Sequence, residues 1–167
     1  DGGVPTVTNV TATNNDGYFK ADDVIGITVT FSEVINVVTT NGTPRLTLET
    51  GTNDAVVNYT SGTGTNTLTF NYTVASGHTS SDLDYVATSS LALNSGTIKD
   101  CAGNNATLTL ASPGATNSLG ANKAIVVDTT PPLILSVTSA TNAGAYKSGS
   151  VISVIINLSE SGIISGT

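Results

Sequence analysis

The chain repeats itself, and the repeat limits what it can fold into. The stretch beginning at Asp128 aligns without a gap on the stretch beginning at Asp1, at an offset of 127. Asp1, Pro5, Val10, Thr11, Asn15, Gly17, Lys20, Val24, Ile25, Ser32 and Glu33 recur as Asp128, Pro132, Val137, Thr138, Asn142, Gly144, Lys147, Val151, Ile152, Ser159 and Glu160, which is 11 identities in 33 positions. Phe19/Tyr146, Ile27/Val154, Val29/Ile156 and Phe31/Leu158 match in character. A fixed period of this kind marks a repeat architecture. It predicts one complete module, residues 1–128, and the N-terminal part of a second, residues 129–167. The expectation is a piece of a longer array, built for length, spacing and surface display.

A unit of 127 residues is a normal domain size and can bury a core of its own, whereas the remaining stretch cannot. Only 10% of the residues are charged and the net charge is −7, so Thr, Ser and Asn solvate the surface instead. Such an acidic chain, poor in Lys and Arg, carries no footprint for nucleic acid or for an anionic membrane. Acidic groups on the surface do suit divalent cations. The one cysteine, Cys101, excludes an intrachain disulfide. The start at Asp1 without Met points to a processed or excerpted chain, and no signal peptide or membrane-spanning apolar run is visible. Six Asn-x-Ser/Thr sequons, at Asn9, Asn41, Asn58, Asn71, Asn105 and Asn157, reflect mainly a composition rich in Asn and Thr.

No segment sustains a 3.6-residue apolar period. Short runs of β-branched and aromatic residues alternate between Gly/Asn/Asp/Ser clusters, which is the all-β pattern. The predicted strands are Thr6–Thr13, Val24–Phe31, Arg45–Glu49, Ala55–Thr60, Thr67–Val74, Leu91–Leu93 with Thr97–Lys99, Ala106–Leu110 and Ala124–Val127. Ile25, Ile27, Val29 and Phe31 share one face of their strand, and Leu68, Phe70, Tyr72 and Val74 one face of theirs, so these eight form the predicted core. Seven to nine short antiparallel strands in such a length predict an immunoglobulin-like Greek-key sandwich without the Cys…Trp…Cys core of antibody domains. Asp128-Thr129-Thr130-Pro131-Pro132 reads as a short, stiff linker. The second copy supplies two strands, Leu133–Ala140 and Val151–Leu158, a pair that is marginal in water by itself.

Several phrases carry a family likeness: Phe31-Ser32-Glu33; Ser61-Gly62-Thr63-Gly64-Thr65-Asn66-Thr67-Leu68-Thr69-Phe70 leading into Tyr72-Thr73-Val74; the run from Leu91 to Asn104; and Val127-Asp128-Thr129-Thr130-Pro131-Pro132. Together they resemble the immunoglobulin-like tandem repeats of large bacterial surface and secreted adhesin-type proteins. The resemblance implies a β-sandwich module, an extracellular or cell-surface location, an array and, often, calcium at module junctions. It implies no particular receptor. Cys101 departs from the small residue usual in that loop.

The candidate metal ligands are Asp1, Glu33, Asp100, Asn104, Asp128 and Glu160. Asp1 and Asp128 occupy equivalent linker positions, and Glu33 and Glu160 both end the second strand of their copy. Strand order brings Glu33 toward Asp1 and Glu160 toward Asp128, and gathered oxygens are what Ca²⁺ needs. Asp100 and Asn104 bracket a tight loop and could add oxygens. The competing reading makes Glu33 a solvated strand end and the others turn formers. Asp82 and Asp84 would share a face if extended, but no Trp platform accompanies them, so loop solvation or a second cation fits better than a glycosidase pair. His78, the one histidine, reads as an exposed loop residue. No nucleophile elbow, zinc spacing or phosphate loop appears, and no enzyme is expected. The Thr-x-Thr patterns at Thr67/Thr69 and Thr107/Thr109 read as wet strand faces.

The functional expectation is a structural spacer or assembly module of a bacterial surface or extracellular fibre. Its partners would be neighbouring repeats in the same chain or identical subunits. The alternative is a glycan- or protein-binding module acting through loops at one end, which calls for a groove with exposed Tyr.

Overall fold

The computed structural model describes residues 3–161. Strand makes up 44% of it and helix 3%, so the fold is all-β. It divides into two compact units, residues 1–129 and 130–167.

In the first unit ten strands run in order: β1 (Val7–Ala12), β2 (Gly17–Phe19), β3 (Val24–Val38), β4 (Arg45–Leu48), β5 (Ala55–Ser61), β6 (Thr65–Thr73), β7 (Thr79–Ser80), β8 (Leu91–Ala92), β9 (Thr97–Lys99) and β10 (Ile125–Asp128). One curled sheet has the order β1-β3-β6-β5-β4-β8, with β9 also on β3. A smaller sheet has the order β2-β10-β7. Together they make an immunoglobulin-like sandwich. All eight core residues read from the alternation are buried: Ile25, Ile27, Val29, Phe31, Leu68, Phe70, Tyr72 and Val74. Leu46 and Leu48 of β4, Leu83, Leu119, and Ile125 and Val127 of β10 join them in one cluster. Burying each such side chain contributes about 1.5–3 kcal/mol.

Two strands change partners. β3 pairs with β1 and β6 through its first half and with β9 through Asn36–Val38. β5 pairs with β4 from Ala55 to Asn58, and with β6 only at Tyr59 and Ser61. Both changes fall beside a register shift, which bends the strand and lets it take a further neighbour within the curled sheet.

Four expectations are corrected. Phe31-Ser32-Glu33 does not end a strand, because β3 runs on to Val38. Ala106–Leu110 forms no strand: its amides donate to three separate carbonyls, Ala106 to Ile98, Thr107 to Pro5 and Leu110 to Thr88, so no ladder builds. The short strands β2 and β7 were not anticipated, being too brief to show a period. A single helical turn, α1 (Leu119–Asn122), was also missed; the Ser118 hydroxyl caps it by accepting from the Ala121 amide at 3.2 Å.

The second unit is a two-stranded sheet, β11 (Ile134–Ser139) with β12 (Val154–Leu158). Val151–Ser153, read as strand from the sequence, lie outside it. Its pairing copies β1 on β3 residue for residue. Val7↔Phe31, Asn9↔Thr30, Val10↔Val29, Thr11↔Thr28 and Ala12↔Ile27 become Ile134↔Leu158, Ser136↔Asn157, Val137↔Ile156, Thr138↔Ile155 and Ser139↔Val154, with the register shift at the same place. Side-chain bonds recur too. The Thr6 amide donates to Ser32 Oγ and the Leu133 amide to Ser159 Oγ. The Gly26 amide donates to Asn14 Oδ1 and the Ser153 amide to Thr141 Oγ1.

Candidate functional site

Glu33 lies inside β3, half-buried, at the irregularity between Thr30 and Ile35. The Ser32 amide donates to the Thr6 carbonyl at 2.9 Å, so Glu33 sits beside the start of β1. Asp100 follows β9 and is 6% exposed. A shallow groove of about 370 Å³ is lined by Glu33, Val34, Asp100, Cys101 and Ala102. The structure therefore brings these two carboxylates to one place.

The Asp100–Asn104 loop closes on itself. Asp100 Oδ1 accepts from the Asn104 amide and Oδ2 from Asn104 Nδ2, both at 2.7 Å. Burial works to raise the Asp100 pKa, but the bonds from Asn104, Gly103 and Ala102 outweigh it and hold the carboxyl below its ordinary value. Both oxygens serve the turn. Cys101 is exposed at its tip, where its Sγ accepts from Asn36 Nδ2 at 3.6 Å.

Asp128 ends β10 opposite Thr79 and lines a different groove, of about 450 Å³, with Glu49, Gly51 and Thr79. The Thr129 hydroxyl accepts from the Gly77 amide and donates to the His78 carbonyl, both at 3.0 Å. That turn follows the end of β6 that pairs with Val24, while Glu33 lies near the end that pairs with Ile35. Glu33 and Asp128 thus occupy opposite ends of the first unit: the chain enters at one and leaves at the other. Glu160, in the second unit, keeps its Oε1 buried without a hydrogen-bond partner. Asp1 lies outside the described residues. Among the described residues no group of three or more His, Cys, Asp or Glu could hold a metal ion.

A set of acids that the sequence showed only in part surrounds α1. Asp84 is buried; its Oδ1 accepts from the Tyr85 amide and its Oδ2 from the Gly114 amide, each at 2.9 Å. A Cβ added at Gly120 would stand 3.0 Å from Asp84 Oδ2 and 3.5 Å from Asp82 Oδ2. Desolvation, then Asp84, then Asp16 raise the pKa of Asp82. Asp16 comes from far away in sequence, anchored by the Ala124 amide, so sequence spacing gave no sign of it.

His78 is half-buried and not a free loop residue. Its Nδ1 and the Tyr72 hydroxyl are hydrogen-bonded at 2.8 Å, and the rings stack with centroids 5.9 Å apart. Burial pushes the Tyr72 hydroxyl up to about 12. Tyr72 and His78 lie at a further groove, of about 710 Å³, where Ala55–Asn58 of β5 diverges from Asn71–Thr73 of β6. Its tyrosines are Tyr59, half-buried, and Tyr72, buried, whereas Tyr18, 83% exposed, lies elsewhere on β2.

These features define an acidic β-sandwich module with shallow grooves and opposed chain ends. A family model described as bacterial Ig-like domain matches residues 1–115, and the chain belongs to that family. Domains of this family are in general non-catalytic structural modules of bacterial surface or extracellular proteins. No curated protein and no solved structure gives a significant match. Among the described residues no helix is long and apolar enough to cross a membrane.

Proposed function

We propose that the chain is a structural spacer and assembly module of a bacterial surface or extracellular fibre, with adhesin-stalk character, and that residues from 129 onward open a second module. The observation that carries this reading is the register of β11 on β12, which matches β1 on β3 pair for pair. Chain entry and exit at opposite ends of the first unit favour head-to-tail extension. Repeats that contact mainly their neighbours make quasi-one-dimensional arrays. The mass of the mature polypeptide, recovered from its source, tests the array. A mass far above 16.7 kDa, with further copies of the unit, is expected. A mass near 16.7 kDa would contradict an array in one polypeptide and favour strand exchange between identical subunits.

Calcium binding by Asp1, Glu33, Asp128 and Glu160 rests on the recurrence of the first two as the last two at the offset of 127. A polypeptide carrying two whole modules should melt higher in calcium than in chelator. Binding only the folded state stabilises by about 2.7 kcal/mol at a hundredfold excess over the dissociation constant. Identical melting curves would remove calcium from the account.

A further inference from the structure

The chain that leaves β10 is held at Thr129 by the turn that follows β6. The His78 amide donates to the Ala75 carbonyl at 3.1 Å and closes that turn, with Gly77 at φ +88°. The Gly77 amide and the His78 carbonyl then take both sides of the Thr129 hydroxyl. The turn in its own right is anchored by one side chain. The His78 ring stacks on Tyr72 and shares a hydrogen bond with its hydroxyl. Tyr72 is 2% exposed, and among the described residues its hydroxyl has no other partner. With the imidazole neutral, the phenol donates, Nδ1 accepts, and both are satisfied. With the imidazole protonated, Nδ1 can only donate, so the buried phenol proton loses its acceptor. The imidazolium has another partner within the same groove, the exposed carboxylate of Asp54.

We propose that His78 is a pH-operated clasp: neutral, it stays on Tyr72 and keeps the turn that grips Thr129; protonated, it swings to Asp54 and frees Thr129. Mild acid then loosens the chain where it leaves the first unit. Histidine is the side chain whose ordinary titration falls between about pH 5 and 8, and the chain has one. The titratable groups of the groove are Asp54, Tyr59, Tyr72 and His78. β10 brings Asp128 opposite Thr79, the residue after His78. Asp22 and Asp23 exchange main-chain bonds with Val74, at the start of the same turn region. These neighbours are phenols and carboxyls, and the carboxylates favour the imidazolium over neutral imidazole once it has left Tyr72. Thr129 belongs to the first unit, so the clasp goes beyond the spacer reading and stands apart from it.

The test is an NMR titration of the full chain from about pH 8 to about pH 5, the window of imidazole. With a single histidine, the ring C–H signals of His78 are unambiguous. The second readout is the solvent protection of the Gly77 amide, corrected for the intrinsic pH dependence of exchange. Protection should fall about tenfold as pH falls, the scale of one hydrogen bond lost, with the same midpoint as the His78 ring. Thr129→Val, which removes the gripped hydroxyl, gives the level of the open clasp. In His78→Asn, an acceptor that does not titrate, Gly77 protection should be flat across the window. Protection that stays constant in the unaltered chain would overturn the proposal. So would a midpoint different from that of the ring, or a fall that persists in His78→Asn. None of these outcomes depends on the mass of the mature polypeptide, so the clasp and the array fail separately.

Discussion

At the residue scale, burial decides what each polar group does. Tyr72 and Tyr85 are 2% and 1% exposed, and burial raises both hydroxyls from 10.0 to about 12, with Asp84 adding to the rise at Tyr85. A folded-state pKa above the unfolded value favours the protonated phenol in the fold. The stability it contributes is full below pH 10 and is lost as pH climbs toward 12. Chemical denaturation across that window should show stability falling, and the loss should be smaller in Tyr72→Phe. Gly62, at φ +114° in the Ser61–Gly64 turn, is a second sensitive position. A Cβ there would clash with the Thr67 carbonyl oxygen. Gly62→Ala should cost about 1–3 kcal/mol, read from denaturant midpoints. The turn itself was legible, because Gly and Ser cluster between two alternating runs. The role of Asp84 was not, since the Gly114 amide reaches it from a distant segment, and that of His78 was not, since a turn and not a periodic element folds it back onto Tyr72.

At the element scale, alternation was the dependable signal. It found the apolar face of the main sheet on both β3 and β6, because a period of two is fixed by the pleat. It failed where pairing, not pattern, decides. Ala106–Leu110 alternates, yet meets a different partner at each step. β3 runs through Glu33 because β9 waits beyond it, which no local pattern records. Glu33 and Asp100 were recognised as candidates and do share a groove, but the closure of the Asp100 carboxylate by Asn104 depends on loop geometry. The same physics separates a buried from an exposed apolar position, one in each unit. Phe70→Ala, in a sealed core, should cost about 3–5 kcal/mol by denaturant unfolding. Ile156→Ala, at a side chain 56% exposed, should stay within about 0.5 kcal/mol. A large loss from Ile156→Ala would mean that this face is already covered.

At the scale of the whole molecule, the central claim is that residues 1–129 form a self-sufficient module and that 130–161 hold only the opening pair of strands of another. A two-stranded sheet is marginal in water, whereas a closed sandwich opens only with its global unfolding. The most direct measurement is native-state hydrogen exchange on the full chain, compared between matched strands. Amides of β3 and β6 should exchange only through global unfolding, and those of β11 and β12 faster by orders of magnitude, despite their identical register. Equal protection in β3 and β12 would contradict the account, because it would require the second unit to be closed without the strands that close the first.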